Sequence, residues 1–257
     1  MGRPRTTTRP PQLDPLAVED LAEGVADDLA PSADLEGAAF HDLTADSLGL
    51  AGGRLREVLL ERVNVAVLRA PRVTLRDVRI EGSRIGSADL YDSEWDSVLV
   101  SGCKLSFVNL RGARLRDVVF SDCVIDELDL VEAVVLRVRF VRCTIARLDL
   151  QHVSASHLDL RGAELREIIG VTALRGVTIS PLQLSLLAPI IADSLGIVFA
   201  LIAPVLVVVG VARVLRRRGV GLALDDEDVA GHQVGHGVHL VRLGGSTRAD
   251  HPEADLE

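Results

Sequence analysis

The chain has 257 residues, 48% hydrophobic but only 3% aromatic, and a formal net charge of −9. The length allows one long domain or two ordinary ones, and the core must be built from aliphatic and small side chains. An acidic balance is a poor match for direct nucleic-acid binding, which needs a basic footprint. Three cysteines suggest no disulfide framework, so a reducing compartment is expected. Lys104 is the only lysine; arginine stands elsewhere, a compositional bias without structural meaning.

Residues 1–14 are rich in Pro, Thr and Arg, and are expected to be disordered. No apolar run follows their arginines, so no secretory signal peptide is expected. Asp14 can cap a helix with Pro15 at its first position. Leu21, Val25 and Leu29 then share one face at helical spacing, predicting a short capping helix over about 15–30 within residues 15–32, ended by Pro31.

From Leu35 to Leu165 every residue whose number is a multiple of five is apolar. A helix repeats near 3.6 and a strand near 2, so a period of five requires a repeated supersecondary unit. A second regular position lies two residues earlier (Val58, Val63, Leu68, Val73, Val78, Ser83 and onward) and is small or aliphatic. The other three positions hold nearly all the charge. Units such as Ala88-Asp89-Leu90-Tyr91-Asp92, Val108-Asn109-Leu110-Arg111-Gly112 and Leu158-Asp159-Leu160-Arg161-Gly162 resemble the pentapeptide-repeat family, with consensus A-(D/N)-L-x-x. The match runs through 27 consecutive units, Ala33 to Glu167.

The resemblance implies an all-β solenoid over 33–180: a right-handed quadrilateral β-helix with four units per coil of 20 residues. Its apolar columns should point inward, and neighbouring coils should pair as parallel strands roughly 4.8 Å apart. Residues 20 apart should then stack. Leu90, Leu110, Leu130 and Leu150 form one such column, and Phe120 meets Phe140. Cys103, Cys123 and Cys143 form another, between Ser83 and Ala163. That column reads as a metal or redox ladder or as packing, and packing is preferred because no histidine or further cysteine joins it.

The register breaks after Leu165. Gly170 takes the next central slot, and the pattern returns one residue early at Leu174 and Ile179. Ser180 and Pro181 then read as N-cap and first position of a capping helix over 181–194. In gyrase-binding relatives such a terminal module caps the coil and makes a dimer, so a homodimer through the C-terminal helix is implied. Leu195 to Ala212 carries no charge and is followed by Arg213, Arg216, Arg217 and Arg218. Eighteen helical residues span roughly 27 Å, close to a hydrocarbon core, and the arginines read as a cytoplasmic flank. Residues 195–218 are therefore expected to be a transmembrane or apolar helix; a buried dimerisation helix and an abnormal extension are the alternatives. The tail over 219–257 is expected to be disordered. Its acidic run Asp225–Asp228 reads as solvated, and His232, His236 and His239 lack the partners of a metal site.

No nucleophile motif, phosphate loop or histidine–carboxylate arrangement stands out, and no cofactor or metal is expected. His41, His152 and His157 fall at outward or turn positions. Two outward surfaces remain. Asp89, Asn109, Asp129 and Asp149 recur at 20-residue spacing with Asp92 and Glu132 beside them, forming a candidate acidic face. This face reads either as consensus bias or as the DNA-imitating surface of the gyrase-binding relatives. Over 33–180 the balance is 19 basic against 22 acidic residues, with Arg54, Arg56, Arg76, Arg114 and Arg116 on a neighbouring face, which weakens the imitation. Leu99, Val119, Val124, Val134 and Leu136 form a candidate apolar contact patch, or else scattered exposed hydrophobes.

The expectation is a non-catalytic interaction scaffold with an unidentified protein partner, tethered to a bacterial membrane with a cytoplasmic solenoid, or otherwise cytoplasmic. The alternative is a soluble dimeric DNA mimic acting on gyrase or another type II topoisomerase.

Overall fold

The computed structural model describes residues 8–197. The apolar run from residue 198 onward and the tail over 219–257 lie outside the described residues. Among the described residues, no helix is long and apolar enough to cross a membrane.

The five-residue rule builds a stack of parallel coils. Each coil carries an eight-residue strand that bends at its middle, as in Glu94–Ser101 and Arg114–Ser121, and a six-residue strand, as in Lys104–Asn109 and Val124–Asp129. The bent strands pair with one another in a nine-stranded sheet, which two-residue strands close at both ends, and the other strands pair in a seven-stranded one. Leu115 stands beside Trp95 and Val135, and Ile125 beside Leu105 and Ile145, an offset of 20 in each case. The bends place polar residues at positive φ, among them Asp77, Ser97, Asp117, Arg137 and His157, each near +55°.

Both regular positions point inward. Leu110, Leu130, Leu150 and Leu160 are buried, and so are the small or aliphatic residues two places earlier, Val108, Leu128, Leu148 and Leu158. Phe120 and Phe140 stack with centroids 4.9 Å apart, and Trp95 lies 6.4 Å from Phe120. Polar intruders in the column are satisfied. Ser93 Oγ accepts the Trp95 indole N–H at 3.0 Å, and Ser83 Oγ accepts the Val63 N–H at 3.0 Å while donating to Glu81 O.

The register slip seen in the sequence is physical. Leu158 pairs with Val177 and Asp159 with Thr178, an offset of 19, so the last coil is one residue short. Gly170 absorbs the change at φ +76°, where a Cβ would come within 2.6 Å of Gln151 N. Helix α1 (Pro181–Ser194) then closes the end. Ser180 caps it, with Gln183 N donating to Ser180 Oγ at 3.2 Å and Ser180 N donating to Gln183 Oε1 at 2.7 Å. The buried Gln183 amide also donates to Leu160 O and Ala163 O, at 2.6 and 2.7 Å, tying the helix to carbonyls of the final coil.

The N-terminal end differs from the helix expected over 15–30. It is two single 3-10 turns, Val18–Asp20 and Ala26–Asp28, around a two-residue strand, Ala22–Glu23, that pairs with Ala38 and Ala39. The reason lies at Gly24. Its N–H donates to Ala39 O at 2.8 Å, and a Cβ there would fall 2.4 Å from the Phe40 ring. Sheet pairing to the first coil thus overrides three apolar residues at helical spacing.

Candidate interaction surfaces

Asp89, Asn109, Asp129 and Asp149 stand in one register column, one residue per coil in the short strands. It does not present four free acids. Asp129 and Asp149 are buried. Their Oδ1 atoms accept the N–H two residues on, from Val131 and Gln151, each at 3.0 Å. Asn109 Oδ1 takes the Arg111 N–H at 3.2 Å and Asp159 Oδ1 the Arg161 N–H at 3.1 Å in the same way. At Asn109, Asp129, Asp149 and Asp159 the Asp/Asn position of the repeat is therefore a turn cap, a short side chain with an acceptor one bond beyond Cγ that closes the corner after its strand, whereas Asp89 accepts from Asn109 Nδ2 at 3.4 Å. Arg111 further neutralises Asp129, with Nε at 2.6 Å. Asp92 and Glu132 are at corner positions with positive φ, and both are exposed.

The apolar candidates do not form one patch. Leu99 and Val119 are neighbours in one outward column of the long strands and are half-buried. Val134 and Leu136 lie on a single long strand beside Arg114 and Arg116, with Val134 47% exposed. Val124, 46% exposed, belongs to the other sheet beside Lys104.

Charge elsewhere is compensated between coils. Arg62 pairs with Asp42, Arg142 with Asp122 and Arg137 with Asp117, each acid 20 residues before its arginine and each Nε–O distance 2.6 Å. The Arg142 guanidinium, helped by the Ser121 hydroxyl, pulls the Asp122 carboxyl down to about 2. Burial would raise Asp117, but the Arg137 guanidinium and the Gln12 N–H outweigh it and hold that carboxyl below the usual range.

The interior offers little room. A cavity of about 40 Å3 is lined entirely by side chains such as Leu75, Ile85, Trp95, Leu105 and Phe120. Cys103, Cys123 and Cys143 are buried free thiols whose Sγ atoms lie 3.2–3.4 Å from carbonyl oxygens of their own and the preceding coil. Contact with the Cys103 sulfur pushes the Cys123 thiol up to about 11, and contact with Cys123 together with burial raises Cys143 as well.

One surface was missed from the sequence. Residues 8–14, expected to be disordered, lie along the column of bend residues. Arg9 N donates to His157 Nδ1 at 3.2 Å, Gln12 N to Asp117 Oδ1 at 2.8 Å and Asp14 N to Ser97 Oγ at 2.9 Å. Arg79 donates to Asp14 O, and Thr8 meets the Thr178 hydroxyl. Leu59 and Arg79, outward by the five-residue pattern and in register with Leu99, are accordingly buried.

Residues 101–134 match the family model for pentapeptide repeats, in 8 copies. No curated protein matches the chain. Among solved structures, a trypsin-treated variant of QnrB1, a plasmid-mediated fluoroquinolone resistance protein, is similar to it. The identity is 17% and the TM-score 0.28, with 69% of this chain and 95% of that chain covered. The matched stretch is continuous in register with the coils before and after it, so residues 101–134 carry pentapeptide repeats and the neighbouring coils continue the same five-residue pattern.

Proposed function

We propose that the protein is a non-catalytic scaffold that presents flat, laddered faces to a protein partner. The observation that carries this reading is how its groups are used. Inward side chains fill aliphatic columns, and the polar residues that recur along the coils are consumed in turn caps and coil-to-coil ion pairs. What remains for recognition is the outer surface, including Leu182, Leu184 and Leu186 of α1, each more than half exposed. These side chains support a homodimer through the C-terminal helix. Light scattering tests it: Leu182→Asp with Leu186→Asp should leave a monomer, and a monomer before mutation counts against it.

The membrane tether draws its support from the sequence, from the uncharged run 195–212 and its arginine flank. Fractionation of the full chain decides it, since recovery in the soluble fraction without detergent ends the tether reading.

A second reading, a soluble dimeric DNA mimic that protects a type II topoisomerase, is supported by the stacked acids of the Asp89–Asp149 column with Asp92 and Glu132. Burial of Asp129 and Asp149 reduces the charge that face can offer. Unchanged gyrase supercoiling at micromolar protein would dismiss it.

A further inference from the structure

The N-terminal segment sits on the solenoid like a bound peptide. Pro10, Pro11 and Pro15 fix φ near −65°, and residues preceding proline are held extended, so the segment is built as an extended rod. Its backbone donors to the bend column come from residues that keep an N–H: Arg9, Gln12 and Asp14. The lengths agree. From Arg9 to Gln12 is three residues, roughly 9.3 Å at the polyproline rise of about 3.1 Å. The acceptors His157 and Asp117 are two coils apart, roughly 9.6 Å at the strand spacing of about 4.8 Å. Gln12 to Asp14 advances one more coil, from Asp117 to Ser97. Arg79 supplies the opposite polarity by donating to the Asp14 carbonyl. Sequence reading within the groove is thus limited to where prolines can stand and where an N–H is required.

We propose that this groove is a docking site for an extended, proline-containing segment of a partner polypeptide, and that residues 8–16 are its displaceable intramolecular occupant. The groove recognises such a segment without any bound molecule through the acceptors His157, Asp117 and Ser97 of the bend column, the donor Arg79, and the apolar side chains Leu59, Leu99 and Val119 that share Arg79's register. Asp77, the next bend residue in the row, has a buried Oδ1 with no hydrogen-bond partner. The proposal deepens the scaffold reading by naming a partner class and depends on it for its biological sense. The groove's affinity is measured directly, so its failure leaves the scaffold reading standing.

The test uses the full chain with a protease site inserted between Ala17 and Val18, at exposed residues, and a fluorophore at its N-terminus. Cleavage converts the segment into a noncovalent peptide while melting by circular dichroism checks the fold. The expected result is that anisotropy stays high after cleavage. It should then fall when an unlabelled peptide of residues 8–16 is added, but not when a scrambled peptide of the same composition is added. Ser97→Ala should speed release about twofold to tenfold, the size of one neutral hydrogen bond. Immediate loss of anisotropy on cleavage, equal displacement by the scrambled peptide, or no displacement at any concentration would each overturn the proposal. So would unfolding of the cleaved protein.

Discussion

If the aspartate column is a set of turn caps, charge at Asp149 matters less than its acceptor atom. Asp149 is 8% exposed, with Oδ1 taking the Gln151 N–H and Oδ2 the Gln151 side-chain amide, both at 3.0 Å. Asp149→Ala removes both acceptors. Loss of a cap of this kind costs about 1–2 kcal/mol. For a folded unit of this size each kcal/mol lowers Tm by about 2–4 °C, so a fall of about 2–8 °C is expected. Asp149→Asn keeps an oxygen where Oδ1 stands, and the column already holds an amide at Asn109, whose oxygen closes the same turn. Its cost should be under about 1 kcal/mol. Thermal melts of the two variants beside the parent protein decide the matter. If asparagine costs as much as alanine, the negative charge is what the fold or its partner needs, and the turn-cap argument is wrong.

Leu110→Ala, at a side chain with no exposed surface, should lose about 2–5 kcal/mol through the cavity left in a dry column, read as a drop in denaturation midpoint. A loss below about 1 kcal/mol would contradict the inward assignment. Contact with Cys123 lowers Cys103 while Cys123 and Cys143 are raised, so it is burial that should keep all three thiols from reacting with iodoacetamide at neutral pH in the native protein, and all three should react in denaturant. Native alkylation at any of them would count against the packed column. Asp122, Asp117 and Asp159 have folded pKa values below the ordinary 3.8. Each therefore contributes stability that is present above about pH 4 and lost as pH falls toward the folded value, about 2 for Asp122. Arg142→Gln should make the acid loss between those values shallower, and an unchanged acid titration would show that the pair contributes nothing.

Much of the fold was legible because its unit is short and its contacts are periodic. A five-residue rule names the inward residues, and its fourfold repetition in a 20-residue coil names their neighbours, so the cysteine column and the Phe120–Phe140 stack could be read directly. The one-residue slip near Gly170 was legible for the same reason. Contacts that break the period were not. The N-terminal segment binds through backbone N–H groups to residues 83 to 148 positions away, and a backbone donor leaves no mark on composition. Its only trace was proline placement, which reads equally well as disorder. At Gly24, three apolar residues at helical spacing concealed a strand whose reason is the Phe40 ring. The turn-capping aspartates were found as a column but read as outward, because spacing gives the position of a side chain and not the backbone group it turns toward.

These corrections share one physical cause. A solenoid surface has a single ruler, the coil spacing, and groups that match it are used up within the molecule. A guanidinium reaches a carboxylate one coil away, which is why Arg62, Arg137 and Arg142 each find an acid 20 residues earlier. Counting charges along a face therefore overstates what a partner would meet. An extended peptide with about three residues per two coils matches the ruler from outside, through its backbone, and does not depend on net charge. The bend column under residues 8–16 is such a place. It combines the acceptors His157, Asp117 and Ser97 with the donor Arg79, which stands in register between Leu59 and Leu99, so what it can read is backbone and not net charge.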